Sequence, residues 1–170
     1  MGCGENGLMP LPKIIDNERS SMLEVLRSLS TEHEKVSIAT GYWDLGAISL
    51  LLEELDSLKE IRLLIGREPL IPRHKLQAPE GDFPERDFQF DLAHVEQSSD
   101  IRKAADKVTE WISSGKLRVR VFTKTFLHAK TYIFGDFESN NAVGVIGSSN
   151  FTKNGLTQNT ELNALENDYK

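Results

Sequence analysis

The sequence predicts an α/β fold, a three-layer α/β/α sandwich built around a mixed β-sheet. Helical and strand-like hydrophobic patterns alternate through most of the 170 residues, which is typical of a sheet covered by helices. After Leu117 the apolar runs follow one another with only short turns between them, so some neighbouring strands must be antiparallel. No apolar run approaches the roughly 20 residues of a membrane span. The single cysteine excludes an internal disulfide and favours a reducing, cytoplasmic compartment.

The individual elements are predicted from hydrophobic periodicity and from capping residues. Asp16 or Asn17 can cap the first helix and Asp44 the second, because their side chains accept hydrogen bonds from the first turn. Strands are predicted where short runs are apolar or alternate with polar residues. In chain order the sequence predicts a helix over 17–29, a strand over Lys35–Thr40, a helix over 44–58, a strand over Glu60–Gly66, a helix from Ser98 or Ser99 to Gly115, and strands over 117–121, 126–134, 142–146 and 158–165.

Two stretches carry no periodic pattern. Several glycines near the start predict a flexible leader over residues 1–12. Prolines interrupt residues 67–97, which we interpret as a loop or an insertion. The remaining pattern predicts one domain over residues 1–170. Its last residues are typical of the start of another helix, so we expect the N-terminal part of a longer chain.

The charge distribution is compatible with an anionic substrate. The whole chain carries a net charge of −6. Between Lys116 and Lys153, however, positive charges outnumber negative ones by four. A protein that is acidic overall can still bind a phosphate through such a basic segment.

The residues with the clearest chemical potential lie in this basic half. If residues 126–134 form a strand, His128 and Lys130 project from the same face about 7 Å apart. A nucleophile or base beside a fixed cation can receive a phosphate. Ser148 and Asn150 offer donors just after the next strand, where ligands bind in α/β sheets. Glu161 can hold one imidazole nitrogen of His128 and so fix its tautomer.

Each of these features alone is weak, since a strand histidine is more often structural and an exposed strand lysine is usually solvated. Their joint order is specific: His-x-Lys over 128–130, Gly-Ser-x-Asn over 147–150, and Asn-x-Glu over 159–161. That order resembles the phospholipase D superfamily, with a weaker similarity over 38–43. The branch it resembles most is found at the N-terminus of bacterial superfamily-two helicases and in metal-independent restriction endonucleases.

The resemblance implies a phospholipase D-like fold and a metal-independent phosphodiesterase, with DNA as the substrate and no cofactor. Because this chain has one motif and the family's reaction uses two histidines, it implies a homodimer with one composite site. His128 would be the nucleophile in one subunit and the general acid in the other. Lys130 and Asn150 would stabilise the phosphate, Ser148 would be a secondary donor, and Glu161 would orient His128.

One departure from the family pattern concerns the aspartate that usually follows the lysine. Gly135 occupies that position here and Asp136 comes one residue later, so no role is assigned to Asp136. The remaining histidines are scattered in polar surroundings, and the sequence contains no metal-ligand pattern. We therefore expect no metal site.

The wider function leaves alternatives open. Four cations are candidate DNA contacts, with a solvated surface as the alternative interpretation; they are Arg118, Arg120, Lys124 and Lys153. The nuclease hypothesis implies a helicase motor or a restriction-type partner domain beyond the last residue. The chain could instead be an inactive DNA-binding module of a helicase, or a lipid phosphodiesterase that uses the same site. No lipid-anchoring segment is predicted.

Overall fold

The structure is a computed structural model that describes residues 11–66, 99–136 and 141–167. Within this part the chain forms a seven-stranded sheet and five helices. In chain order the elements are β1 (Ile14–Ile15), α1 (Met22–Glu32), β2 (Lys35–Thr40), α2 (Leu45–Leu50), α3 (Leu52–Ser57), β3 (Glu60–Gly66), α4 (Ser99–Ser113), β4 (Leu117–Phe122), β5 (Lys130–Phe134), β6 (Val143–Gly147), α5 (Lys153–Thr157) and β7 (Asn163–Glu166).

The sheet is mixed, as the sequence predicts. Its strand order is β1-β7-β6-β5-β2-β3-β4. β2, β3 and β4 are parallel to one another, and α2, α3 and α4 form the crossovers between them. β5, β6, β7 and β1 are joined by antiparallel pairings, and β5 also pairs antiparallel with β2. The α/β class with a mixed sheet is therefore confirmed.

The core lies between one face of the sheet and the helices. Alternate residues of β2 and β3, such as Ile38 and Leu63, are buried on this face. Trp111 of α4 is also buried, and its indole N–H donates to Asp56 Oδ1 over 2.8 Å. The described helices contact one another, which makes them one layer. Among the described residues the helices form this one layer, so the second helical layer of the expected sandwich stays a prediction.

Two helix boundaries differ from the prediction. α1 is capped by Ser21, whose Oγ accepts from Glu24 N over 3.2 Å in a capping box. Asn17 instead adopts a φ of 62°, and its side chain accepts from Met22 N. The helix predicted over 44–58 is interrupted at Leu51, which separates α2 from α3. Asp44 caps α2 as predicted, accepting from Ala47 N over 2.7 Å.

Two predicted strands are too long. Thr40 is the last residue of β2 and pairs with Lys130, so residues 126–129 have no partner strand on this side and β5 begins only at Lys130. The strand predicted over 158–165 is limited to β7. α5 precedes it, with Thr152 as N-cap. His128 therefore lies before β5 and not within a strand.

The predicted leader and insertion lie mostly outside the described residues, which exclude 1–10 and 67–98. Leu11, the first described residue, packs against the core. β1 was not predicted, because two residues carry too little pattern. It pairs with β7 through Ile14 and Ile15 and closes one end of the sheet.

Candidate active site

The predicted site residues converge on one edge of the sheet. Since β2 and β6 end at this edge while β5 and β7 begin there, Thr40 pairs with Lys130 and Gly147 with Asn163. His128 comes just before β5, Ser148 and Asn150 come just after β6, and Glu161 comes just before β7. The topology therefore brings together residues that are up to 33 positions apart in the sequence.

Lys130 carries a buried ammonium group at this edge. The residue is only 6% exposed. Its Nζ donates to the carbonyl of His128 over 3.4 Å, and no carboxylate forms an ion pair with it among the described residues. Burial lowers the pKa of Lys130, and the nearby charge of Glu161 opposes that shift. A buried cation without a counter-ion is the feature that an anionic ligand would satisfy.

His128 is exposed and is held through its neighbouring backbone. The carbonyl of Leu127 lies so close to Gly41 and Gly66 that an added Cβ would come within 3.0 Å and 2.9 Å of it, respectively. On the other side of His128, the carbonyl of Ala129 accepts from Gly41 N over 3.0 Å. The imidazole packs beside the ring of Phe126, with a centroid distance of 5.6 Å. The backbone is thus fixed while the imidazole remains accessible.

Asn150 presents its amide in a defined orientation. Its Oδ1 accepts from Tyr42 N over 3.3 Å and lies 3.4 Å from Thr40 Oγ1. Because a backbone N–H can only donate, the oxygen of the amide must face Tyr42. The NH₂ group has no hydrogen-bond partner in the described part of the chain. It is therefore available to donate to a ligand.

Ser148 and Glu161 form a hydrogen-bonded pair. Ser148 Oγ donates to Glu161 Oε2 and accepts from Leu162 N over 2.9 Å. The other carboxylate oxygen accepts from Asn159 Nδ2 over 3.2 Å. No hydrogen bond joins Glu161 to His128 within the described residues of this chain. The orienting role of Glu161 and the donor role of Ser148 toward substrate stay predictions.

Comparison with known proteins identifies the family. The family profile described as "Cardiolipin synthase, PLD-like domain" matches residues 25–170. This chain belongs to the phospholipase D-like family. A comparison with curated proteins finds no match.

Solved structures share this fold at low sequence identity. Phosphatidylserine synthase from Haemophilus influenzae Rd KW20 is 17% identical with a TM-score of 0.57, and the match covers 91% of this chain and 35% of that chain. A mutant of the yeast tyrosyl-DNA phosphodiesterase is 10% identical with a TM-score of 0.50, covering 90% and 30%. Nuc from Salmonella typhimurium, a phospholipase D family member, is 13% identical with a TM-score of 0.49, covering 89% and 79%.

The candidate DNA contacts of this phospholipase D-like domain do not form one surface. Arg118 and Arg120 project from the sheet face opposite the helices, where Arg118 pairs with Glu60 over 3.4 Å. Lys124 is exposed in the segment that leads to His128. Lys153 starts α5 on the helical side. Arg118 and Arg120 therefore lie on the opposite side of the sheet from Lys153.

Asp136 lies at the opposite end of β5 from Lys130. It forms an ion pair with Lys35 over 3.2 Å. The structure thus places this carboxylate away from the edge that holds His128 and Lys130. Among residues 11–66, 99–136 and 141–167, no group of three or more metal-ligating side chains is present. None of the helices in these ranges is both long enough and apolar enough to cross a membrane.

Several buried polar residues behind the site were missed in the sequence. Asn163 donates from Nδ2 to Ser149 Oγ over 2.9 Å, and its Oδ1 accepts from Ser149 N over 3.1 Å. The hydroxyl of Tyr132 donates to Ser149 O over 2.9 Å, and burial raises the pKa of Tyr132 so that it stays protonated. These contacts fix the segment between Ser148 and Asn150. The sequence signal that could have found them is a polar residue at an inward-facing position of a strand whose residues otherwise alternate.

Proposed function

We propose that this domain hydrolyses phosphodiesters in DNA without a metal ion, through a covalent phosphohistidine on His128. The observation that carries the proposal is the buried Lys130, whose ammonium forms no ion pair among the described residues and donates to the backbone carbonyl of His128. The exposed imidazole of His128 and the free amide NH₂ of Asn150 belong to the same edge of the sheet. Together these groups offer a nucleophile and two donors for the non-bridging oxygens of a phosphate.

The reaction then has two balanced steps. A nitrogen of His128 attacks phosphorus, a P–N bond forms, and the P–O bond to the leaving group breaks. His128 of a second copy protonates the leaving oxygen. Water then attacks phosphorus and gives a proton to that second imidazole, and the P–N bond breaks.

The dimer in this proposal is supported by the surface next to the site. Phe126 and Leu162 are large apolar residues that are 48% and 63% exposed. Phe126 packs beside His128, and Leu162 follows Glu161 and bonds to Ser148. A second copy placed against this edge would cover both residues while bringing in the second histidine.

The proposal is tested by DNA cleavage in the presence of EDTA. Wild-type protein should cleave, and His128→Ala should abolish cleavage with an unchanged melting temperature, because His128 is exposed. A rapid quench at neutral or alkaline pH, followed by mass spectrometry, should find the phosphoryl adduct on His128. Activity that requires added Mg²⁺, an adduct on another residue, or full activity of His128→Ala would contradict the mechanism.

Further measurements distinguish the other candidate functions. A lipid phosphodiesterase is favoured by the matched family description, and it would release headgroups from phospholipid vesicles while leaving DNA intact. An inactive module would bind DNA without cleaving it. A helicase motor beyond residue 170 would be found in the full-length reading frame and would link DNA cleavage to unwinding.

A further inference from the structure

Thr40 is a fully buried hydroxyl residue at the end of β2. It is 0% exposed and continues an inward row whose other members are the apolar residues Val36 and Ile38. In the sheet it lies directly opposite Lys130. Cross-strand neighbours have Cβ atoms about 5 Å apart and project from the same face. Thr40 is therefore a cross-strand neighbour of Lys130.

The hydroxyl of Thr40 connects the two segments that flank the site. It donates to Tyr42 O over 2.6 Å and accepts from Phe151 N over 3.1 Å. A hydroxyl has one hydrogen to donate, so these two bonds use that hydrogen and one lone pair. They tie the turn after β2 to the segment that carries Asn150.

These bonds bear directly on the orientation of Asn150. The amide N–H of Tyr42 donates to Asn150 Oδ1 over 3.3 Å. The N–H of Phe151 belongs to the peptide that Asn150 itself forms. Thr40 thus fixes both the backbone of Asn150 and the residue that binds the oxygen of its side chain.

We propose that Thr40 is a positioning residue, which holds Asn150 with its amide oxygen turned inward and its NH₂ group turned toward a phosphate beside Lys130. The proposal rests on the proposed function, because Asn150 matters only if a phosphate binds at this edge. Thr40 itself does not contact the substrate.

The variants for the test are Thr40→Val, which keeps the shape but removes the hydroxyl, and Thr40→Ser, which keeps the hydroxyl. Thr40→Val should lower kcat for phosphodiester cleavage by roughly 10- to 100-fold, the scale expected when a stabilising group is misplaced. Thr40→Ser should retain most of the rate. Thr109→Val is the matched control, since it removes a threonine hydroxyl that bonds only to Ala105 O within α4.

A double-mutant cycle with Asn150→Ala distinguishes positioning from a general loss of stability. If Thr40 acts through Asn150, Thr40→Val should cause no further loss of rate in the Asn150→Ala background. An equal fold-loss in both backgrounds would overturn the proposal. So would a rate loss that Thr40→Ser fails to rescue, or one that Thr109→Val reproduces at the same melting temperature.

The same double-mutant cycle can be measured without catalysis, by using calorimetry to determine the affinity of each variant for inorganic phosphate. Should the wild type cleave no phosphodiester, the proposed function fails while this cycle still tests Thr40. Thr40→Val should then weaken phosphate binding in the wild-type background and leave it unchanged in the Asn150→Ala background. Additive effects on phosphate affinity would refute the positioning role.

Discussion

Lys130 combines burial with a positive charge that forms no ion pair with a carboxylate among the described residues. Burial disfavours the charged form and lowers the pKa of Lys130. A bound phosphodiester supplies the missing negative charge and therefore favours the protonated lysine. By linkage, whatever raises the protonated fraction of Lys130 also strengthens the binding of the anion.

The affinity for a phosphodiester should accordingly fall at alkaline pH. The affinity is highest while Lys130 is protonated and decreases as pH rises through its lowered pKa. The decrease therefore begins at a lower pH than for an exposed lysine, whose pKa is about 10.4. Calorimetry with a non-hydrolysable dinucleotide analogue measures this, because the charge of a diester does not change in that range.

Lys130→Arg and Lys130→Met complete this experiment. Arginine stays protonated throughout, so Lys130→Arg should bind without the alkaline decline. Lys130→Met should bind weakly at every pH. An unchanged alkaline decline in Lys130→Arg would show that another group titrates.

The sequence motif predicted which polar residues meet at this edge but not the contacts among them. His128, Lys130 and Asn150 lie at the same edge, as their order along the chain suggested. Thr40 and Asn163 were missed. Their roles depend on the register between distant strands, and a local pattern does not contain that information. An inward polar residue such as Thr40 is nevertheless visible in the alternation of β2.

At the scale of elements, the local hydrophobic pattern predicted the long and regular helices and strands. Lys35–Thr40 and Glu60–Gly66 agree with the sequence, and α4 ends near Gly115, which adopts a positive φ of 78°. The errors in the strands occur where the position of the partner strand decides the boundary. Residues 126–129 have strand-like composition, yet β2 ends opposite Lys130 and leaves them without a partner.

The ends of β2 and β3 fix the segment before β5 through two glycines. A Cβ on Gly66 would lie 2.9 Å from Leu127 O and 3.1 Å from Gly41 O. Both neighbours are backbone atoms, which cannot rotate away as a side chain would. The close approach of these chains sets the position of the backbone next to His128.

Gly66→Ala should therefore displace His128. We expect a stability loss of about 1–3 kcal/mol from overpacking and a decrease in kcat of roughly 10² from misplacement of the nucleophile. Steady-state kinetics and denaturant unfolding measure the two effects on the same samples.

Gly115→Ala is the matched control for this variant. Nothing lies within 4 Å of an added Cβ there, but the positive φ costs roughly 1–2 kcal/mol for a residue other than glycine. Gly115 also lies before β4, at the opposite edge of the sheet. The Gly115→Ala protein should lose stability and keep the wild-type kcat. An equal loss of kcat in both variants would mean that stability alone limits activity.

At the scale of the whole molecule, only the His-x-Lys at 128–130 is followed by the Gly-Ser-x-Asn pattern at 147–150, whereas the proposed reaction needs two histidines. The surface around the site has the apolar residues that an interface would bury, Phe126 and Leu162. Leu162→Asp should place an unpaired charge in that interface, shift the mass measured by light scattering from dimer to monomer, and abolish DNA cleavage. Ile112→Asp is the control, since Ile112 is 51% exposed on α4 and should leave dimer and activity intact.

A shared site also has a kinetic consequence in mixed dimers. When wild-type and His128→Ala chains are coexpressed, a heterodimer holds one histidine and cannot both attack phosphorus and protonate the alkoxide that leaves DNA. Cleavage should then fall with the square of the wild-type fraction, because only wild-type homodimers keep both groups. Independent sites would give a linear fall instead. The two curves separate most clearly at equal amounts of the two chains, where a quarter of the activity is expected for a composite site and half for separate ones.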